Sequence, residues 1–163
     1  MNDIKFYLLE NNYINYLRKF DRKIPQISST SNSKPYCGIV FLINDFYYFA
    51  PLSSFRTKQA TNFIIKDIDN NTPISSLRFC FMLPIPKDKF NNIVTLYDFS
   101  RETDSKYRLL LEKEYNYCKL NKSRIFKLAQ RVYYIGINRT TSLSDSCCDF
   151  KKLEKKCLFY LEK

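Results

Sequence analysis

The chain has no histidine and no tryptophan, and its only glycines are Gly38 and Gly136. Each shortage closes off a mechanism. Without histidine there is no imidazole acid or base, no Ser-His-Asp triad and no His-ligated zinc. With two isolated glycines there is no Gly-rich loop to cradle phosphates, so a nucleotide-hydrolysing machine is not expected. Long apolar runs are missing too. The longest, 36–43 and 46–52, fall far short of the roughly 20 residues that span a bilayer. The opening MNDIKFYLLENN carries acids and no basic segment ahead of a long apolar core, so it does not read as a signal peptide. Six cysteines (Cys37, Cys80, Cys118, Cys147, Cys148 and Cys157) show no CxxC spacing, and two are adjacent. They read as free, mostly buried thiols in a reducing cytosol. A length of 163 residues suits a single domain spanning 1–163, with a cytoplasmic location.

Acids are also scarce. Lys and Arg number 27 against 16 Asp and Glu, a net charge of +11. An AT-rich genome would favour Lys, Asn, Ile, Tyr and Phe, but it would not remove acids. The excess therefore points to a polyanionic partner, with nucleic acid ahead of an anionic membrane surface or an acidic protein. Eight basic residues lie between Lys106 and Arg131, against Glu112 and Glu114. Lys106, Arg108, Lys119, Lys122, Arg124 and Lys127 are the candidate RNA contacts of this stretch, the alternative being an ordinary solvated face. Aromatics are 17% of the chain, all Phe or Tyr. Most must fill the core; exposed ones beside cations are platforms for unstacked bases.

The apolar pattern predicts strands first and helices last. Residues 4–9 suit a first strand. Asn11 or Asn12 is expected to cap a helix reaching about Phe20, with Tyr13, Leu17 and Phe20 on one face and Pro25 as its stop. A polar loop over 26–35 leads into a hairpin, 36–43 and 46–51, turning at Asn44-Asp45. Residues 53–62 read as a polar, basic segment, 63–68 as a strand, 69–76 as a turn, and 77–84 and 93–97 as strands. Asp67 and Asp69 beside Asn70-Asn71 read as a β-turn, not as a metal pair. From Arg101 the period becomes helical: Tyr107, Leu110, Leu111, Tyr115 and Cys118 share a face, Asn121 caps a helix striped by Ile125, Leu128, Ala129 and Val132, and a last helix covers 149–162. Strands without long crossovers followed by helices imply an α+β fold with a mainly antiparallel sheet.

No metal or cofactor is called for by these residues. The chemistry left to Lys, Arg, Ser, Thr and Tyr includes RNA cleavage, because the ribose 2′-OH supplies the nucleophile. The protein then has to align that hydroxyl with the leaving 5′-oxygen and stabilise charge on the phosphorane.

Several patches, in order, resemble one known family. They are KFYLLENNYINYLRKFDRKIP at the start, Gly38-Ile39-Val40, and the hairpin end Tyr48-Phe49-Ala50-Pro51-Leu52-Ser53-Ser54. Leu77-Arg78-Phe79, Met82-Leu83-Pro84-Ile85, Val94-Thr95-Leu96 with Asp98, and Cys148-Asp149-Phe150 with Leu153-Glu154 and Lys156 follow. Over nearly the whole chain this resembles the ToxN/AbiQ family (with CptN and TenpN), toxins of type III toxin–antitoxin systems. The resemblance implies a twisted, mainly antiparallel sheet flanked by helices, related to the Kid/MazF toxin fold. It also implies a metal-independent endoribonuclease that leaves 2′,3′-cyclic phosphate and 5′-OH ends. Its partner would be a repeated RNA pseudoknot antitoxin, processed by the toxin and bound in a closed RNA–protein assembly, and its role growth inhibition and phage defence. Carried over by position, the site would comprise Tyr13, Lys34, Ser53 and Ser54, with Arg56 or Lys58 as the cation after the turn. Each has a plainer reading: core packing for Tyr13, a solvated side chain for Lys34, strand termination for the serines. A non-catalytic RNA-binding module is the competing function.

Overall fold

A computed structural model of the chain describes residues 3–26 and 34–161. Seven strands form one antiparallel sheet in the order β4-β5-β3-β2-β1-β7, with β6 also paired to β3. They are β1 (Lys5–Leu9), β2 (Tyr36–Ile43), β3 (Phe46–Ser53), β4 (Asn62–Lys66), β5 (Pro73–Arg78), β6 (Leu83–Pro86) and β7 (Val94–Leu96). The helices are α1 (Asn11–Arg18), α2 (Phe90–Ile93), α3 (Ser105–Leu120), α4 (Lys122–Ile137), α5 (Ser142–Ser146) and α6 (Phe150–Cys157). The α+β architecture is the expected one. Among the described residues no helix is long and apolar enough to cross a membrane.

The hairpin β2–β3 is the axis of the sheet. Asn44 takes the positive φ that its turn requires (52°). One edge of β3 is shared by two strands: Phe46–Phe49 pair with β6, and Leu52 and Ser53 pair with β5. That sharing explains two departures from the expected pattern. The segment 77–84 is not one strand. It breaks at a 3-10 turn over Phe79–Phe81, which carries the chain from β5 along the same edge to β6. The segment 69–76 is not all turn. Asp67 receives the backbone N–H groups of Asp69 (on its side chain) and Asn71 (on its carbonyl), closing the expected turn, and strand pairing resumes at Pro73.

Helix capping differs from expectation at two places. Asn11 already lies inside α1; Glu10 precedes it, and its carboxylate accepts the Tyr160 hydroxyl in place of capping the helix. Asn121 stands between α3 and α4, but its side chain donates to the Tyr117 carbonyl and accepts from Arg124, leaving the amides of α4 uncapped by it. Asp104 and Asp149 do cap α3 and α6. The short α5, with its Thr141–Ser144 capping box, was not anticipated. Most of the polar loop 26–35 and the end of the last expected helix, Glu162, lie outside the described residues. All six cysteines are free and buried.

Candidate active site

Antiparallel pairing brings the start of β2 and the end of β3 together, at the open end of the hairpin. The pairs Ile43↔Phe46, Leu42↔Tyr47 and Phe41↔Tyr48 start the hairpin, and after an irregularity between Cys37 and Phe41 the pairs become Cys37↔Ala50 and Tyr36↔Pro51. Continued without that shift, the pairing would set Lys34 opposite Phe55. With it, Lys34 falls opposite Ser53. The Leu52 amide donates to the Pro35 carbonyl at 3.4 Å and holds the two ends in this relation. A bulge in a β-strand re-aims the side chains beyond it. Here it brings Lys34 to the same cleft as Ser53 and Ser54.

Lys34, Ser53 and Ser54 line one cleft of about 120 Å³. The end of β3 and the start of β2 form one side, Ile74 and Ser75 of β5 contribute to the floor, and α3 supplies Tyr107, Leu111 and Glu114. Glu114 is the residue that sequence reasoning missed, having counted it as a surface acid. It is 4% exposed. Burial pushes its carboxyl from the ordinary 4.5 up to about 7, against smaller opposing effects of the Ser75 hydroxyl and the Lys34 ammonium. Ser75 is equally buried, and its hydroxyl, though near enough to influence Glu114, has no well-formed hydrogen bond. A signal for Glu114 did exist. It falls at i, i+3, i+7 with the buried Leu111 and Cys118, on the apolar face of α3.

The loop after β3 is braced from below. Ser53 Oγ accepts the Phe55 amide at 3.1 Å, Ser76 Oγ donates to the Phe55 carbonyl at 2.6 Å, and the Asn62 side chain ties down Thr57 and Gln59. The Arg78 guanidinium lies between the Phe55 and Phe81 rings, 4.5 and 4.9 Å from their centroids. Two cations ride on this loop. Lys58 reaches down to the Asn62 carbonyl at 3.3 Å, while Arg56 is exposed beside the serines. Neither lines the cleft. Tyr13 is not brought there either. It is fully buried, donates to the Pro84 carbonyl and packs edge-on against Tyr160, so it belongs to the core between α1 and β6. Its hydroxyl is already committed and its ring has no free face for a nucleotide.

A family model described as toxin ToxN of type III toxin–antitoxin systems matches residues 5–157. The chain belongs to the ToxN family. It is similar to the endoribonuclease ToxN of Bacillus thuringiensis subsp. kurstaki, with 33% identity over 98% of this chain and 85% of that protein. With the endoribonuclease AbiQ of Lactococcus lactis subsp. lactis it shares 27% identity over 98% of this chain and 91% of the relative. Its fold matches a solved toxin of a bacterial type III system, one selectively inhibited by a non-coding RNA pseudoknot, with a TM-score of 0.86 at 30% identity, covering 99% of this chain and 100% of that one. The match to the structure of AbiQ, a lactococcal anti-phage endoribonuclease, has a TM-score of 0.86 at 25% identity, with the same coverage.

On this ToxN-family fold the cations of α3 and α4 lie outside the cleft. Arg108 is paired with Glu112 at 3.0 Å and Lys122 with Asp3 at 3.3 Å. Lys119 and Arg124 sit over the rings of Tyr115 and Phe63, at 5.1 and 5.5 Å. Lys106 and Lys127 are exposed. Exposed pairs of this kind contribute little to stability and leave their charge available to a polyanion.

Proposed function

We propose that this protein is a cytoplasmic, metal-independent endoribonuclease toxin that cleaves RNA by 2′-OH transphosphorylation. In this reading it processes a repeated RNA pseudoknot antitoxin and is inhibited by binding it, in the service of growth inhibition and phage defence. The observation that carries the reading is the convergence of Lys34, Ser53 and Ser54, from opposite arms of one hairpin, in a single cleft. Membership of the ToxN family, whose relatives above are endoribonucleases, supports the activity. With no histidine in the chain, the chemistry falls to Lys, Arg and Ser side chains, and RNA cleavage permits this because the RNA supplies its own 2′-hydroxyl nucleophile.

Each group has a role that its position permits. Ser54, exposed at the mouth, engages the 2′-hydroxyl, and Lys34 engages the phosphate oxygens. Ser53, whose Oγ is partly committed to the Phe55 amide, holds the turn. Arg56 supplies positive charge to the phosphorane from the loop. The cations of α3 and α4, together with Lys58, hold the RNA backbone.

The test is to incubate purified protein with a mixed RNA pool in EDTA and map the new ends. Discrete cuts with 2′,3′-cyclic phosphate and 5′-OH ends are expected. Lys34→Ala and Ser54→Ala should each lower the rate by about 10²–10³-fold while retaining RNA binding. Full cleavage by both variants removes their assignment. Salt-sensitive RNA binding without any cuts replaces the reading with a non-catalytic RNA-binding module.

A further inference from the structure

We propose that Glu114 is the base that takes the proton from the attacking 2′-hydroxyl, with Lys34 as the acid for the leaving 5′-oxygen; this rests on the RNA-cleavage reading above. Among the described residues the cleft is lined by one carboxyl and one ammonium group, on α3 and on the segment before β2, together with Ser53 and Ser54. Glu114 is buried apart from the cleft and forms no salt bridge among the described residues. Nothing in the fold requires a carboxyl at this point of an apolar helix face. A ligand presenting a hydroxyl into the cleft would supply the partner it lacks.

The step balances. The ionised carboxylate removes the 2′-OH proton as the 2′-oxygen bonds to phosphorus. The bond from phosphorus to the 5′-oxygen breaks, and that oxygen takes a proton from the Lys34 ammonium. The products are a 2′,3′-cyclic phosphate and a 5′-OH. Proton return from Glu114 to Lys34 restores both groups. A base with acidity near the working pH is the efficient choice for such a transfer. The titratable groups facing Glu114 are Lys34, and on its own helix Tyr107 and Cys118; β5 offers only the Ser75 hydroxyl. Burial raises the Tyr107 phenol to about 12 and holds the Cys118 thiol well above its usual value, so both stay neutral while Glu114 titrates.

The experiment measures single-turnover cleavage in EDTA against pH for the wild type, Glu114→Gln and Lys34→Ala. It uses an RNA with an ordinary scissile linkage and one whose leaving 5′-oxygen is replaced by sulfur. A sulfur leaving group departs without a proton, so it rescues loss of the acid and not of the base. The wild-type rate should climb with pH and level off above about 7. Glu114→Gln should be slower by about 10²–10⁴-fold on both substrates, with that climb gone. Lys34→Ala should be restored by sulfur. Retained binding of structured RNA by Glu114→Gln establishes that the variant is folded. A Glu114→Gln protein that cleaves near the wild-type rate with the same pH profile overturns the role of Glu114 alone, as does a wild-type rate that stays flat through neutral pH. A wild type that does not cut in EDTA overturns the cleavage reading, and this one with it.

Discussion

Glu114 in α3 and Glu154 in α6 are buried almost equally, at 4% and 5% exposure, in opposite surroundings. Glu154 is saturated. Its Oε2 accepts the Tyr48 hydroxyl at 2.5 Å and the Tyr133 hydroxyl at 2.7 Å, and Lys151 stands 3.6 Å from Oε1. Those bonds join β3, α4 and α6 beneath stacked rings, with Tyr48 on Phe41 and Tyr133 on Phe150. Among the described residues Glu114 has only the loosely placed Ser75 hydroxyl and the Lys34 charge. A buried carboxylate that is fully hydrogen-bonded specifies packing, whereas one that is not resists ionisation and stays ready to exchange a proton. The same side chain thus serves the core in one helix and the cleft in another.

The largest expected effect breaks the saturated site. Glu154→Leu leaves two buried phenols unpaired and should destabilise the fold by about 3–5 kcal/mol in chemical denaturation, with cleavage per folded molecule unchanged. The same kind of change at Glu114 should act in the opposite direction. Its carboxyl is raised from 4.5 to about 7, so folding favours the protonated form. That contribution is complete below about 4.5 and is lost as pH rises through about 7. Glu114→Gln should therefore be more stable than the wild type by up to roughly 3 kcal/mol above neutral pH and equal to it in acid, as read by urea unfolding across pH. A pH-independent difference would show that burial of Glu114 is not what sets its acidity. The smallest effect separates the two regions through their glycines. A Cβ on Gly136 would meet the Phe150 ring at 2.4 Å, and one on Gly38 the Phe49 ring at 2.3 Å. Both alanine variants should lose about 1–3 kcal/mol. Only Gly38→Ala, in the bulge that aims Lys34, should also lower the cleavage rate of the folded protein.

Much of the fold was legible in local pattern. The hairpin with Asn44-Asp45, the first strand, the stripes of α3, α4 and α6 and the antiparallel character of the sheet all follow from side-chain period and turn chemistry. What failed did so for identifiable reasons. Residues 73–76, PISS, carry too little apolar signal to read as a strand, yet their backbone pairs with both β4 and β3. The run 77–84 is apolar apart from Arg78, and no local property marks where it leaves one partner for another. Tyr13 stood on an apolar stripe and in a family motif at once, and packing took it. Lys34, Ser53 and Ser54 were reached through resemblance, with no spacing in the chain to connect them.

By itself the sequence determined a basic, histidine-free chain with a strand-rich first part and a helical last part, because composition and periodicity are properties of short segments. Tertiary structure alone decided that Lys34 stands opposite Ser53 and that Glu114 is shut away from water. The first depends on a two-residue shift of pairing inside a hairpin, and the second on which helix face meets which strands. Register and burial are relations between distant segments, and the acidity of a carboxyl follows from burial.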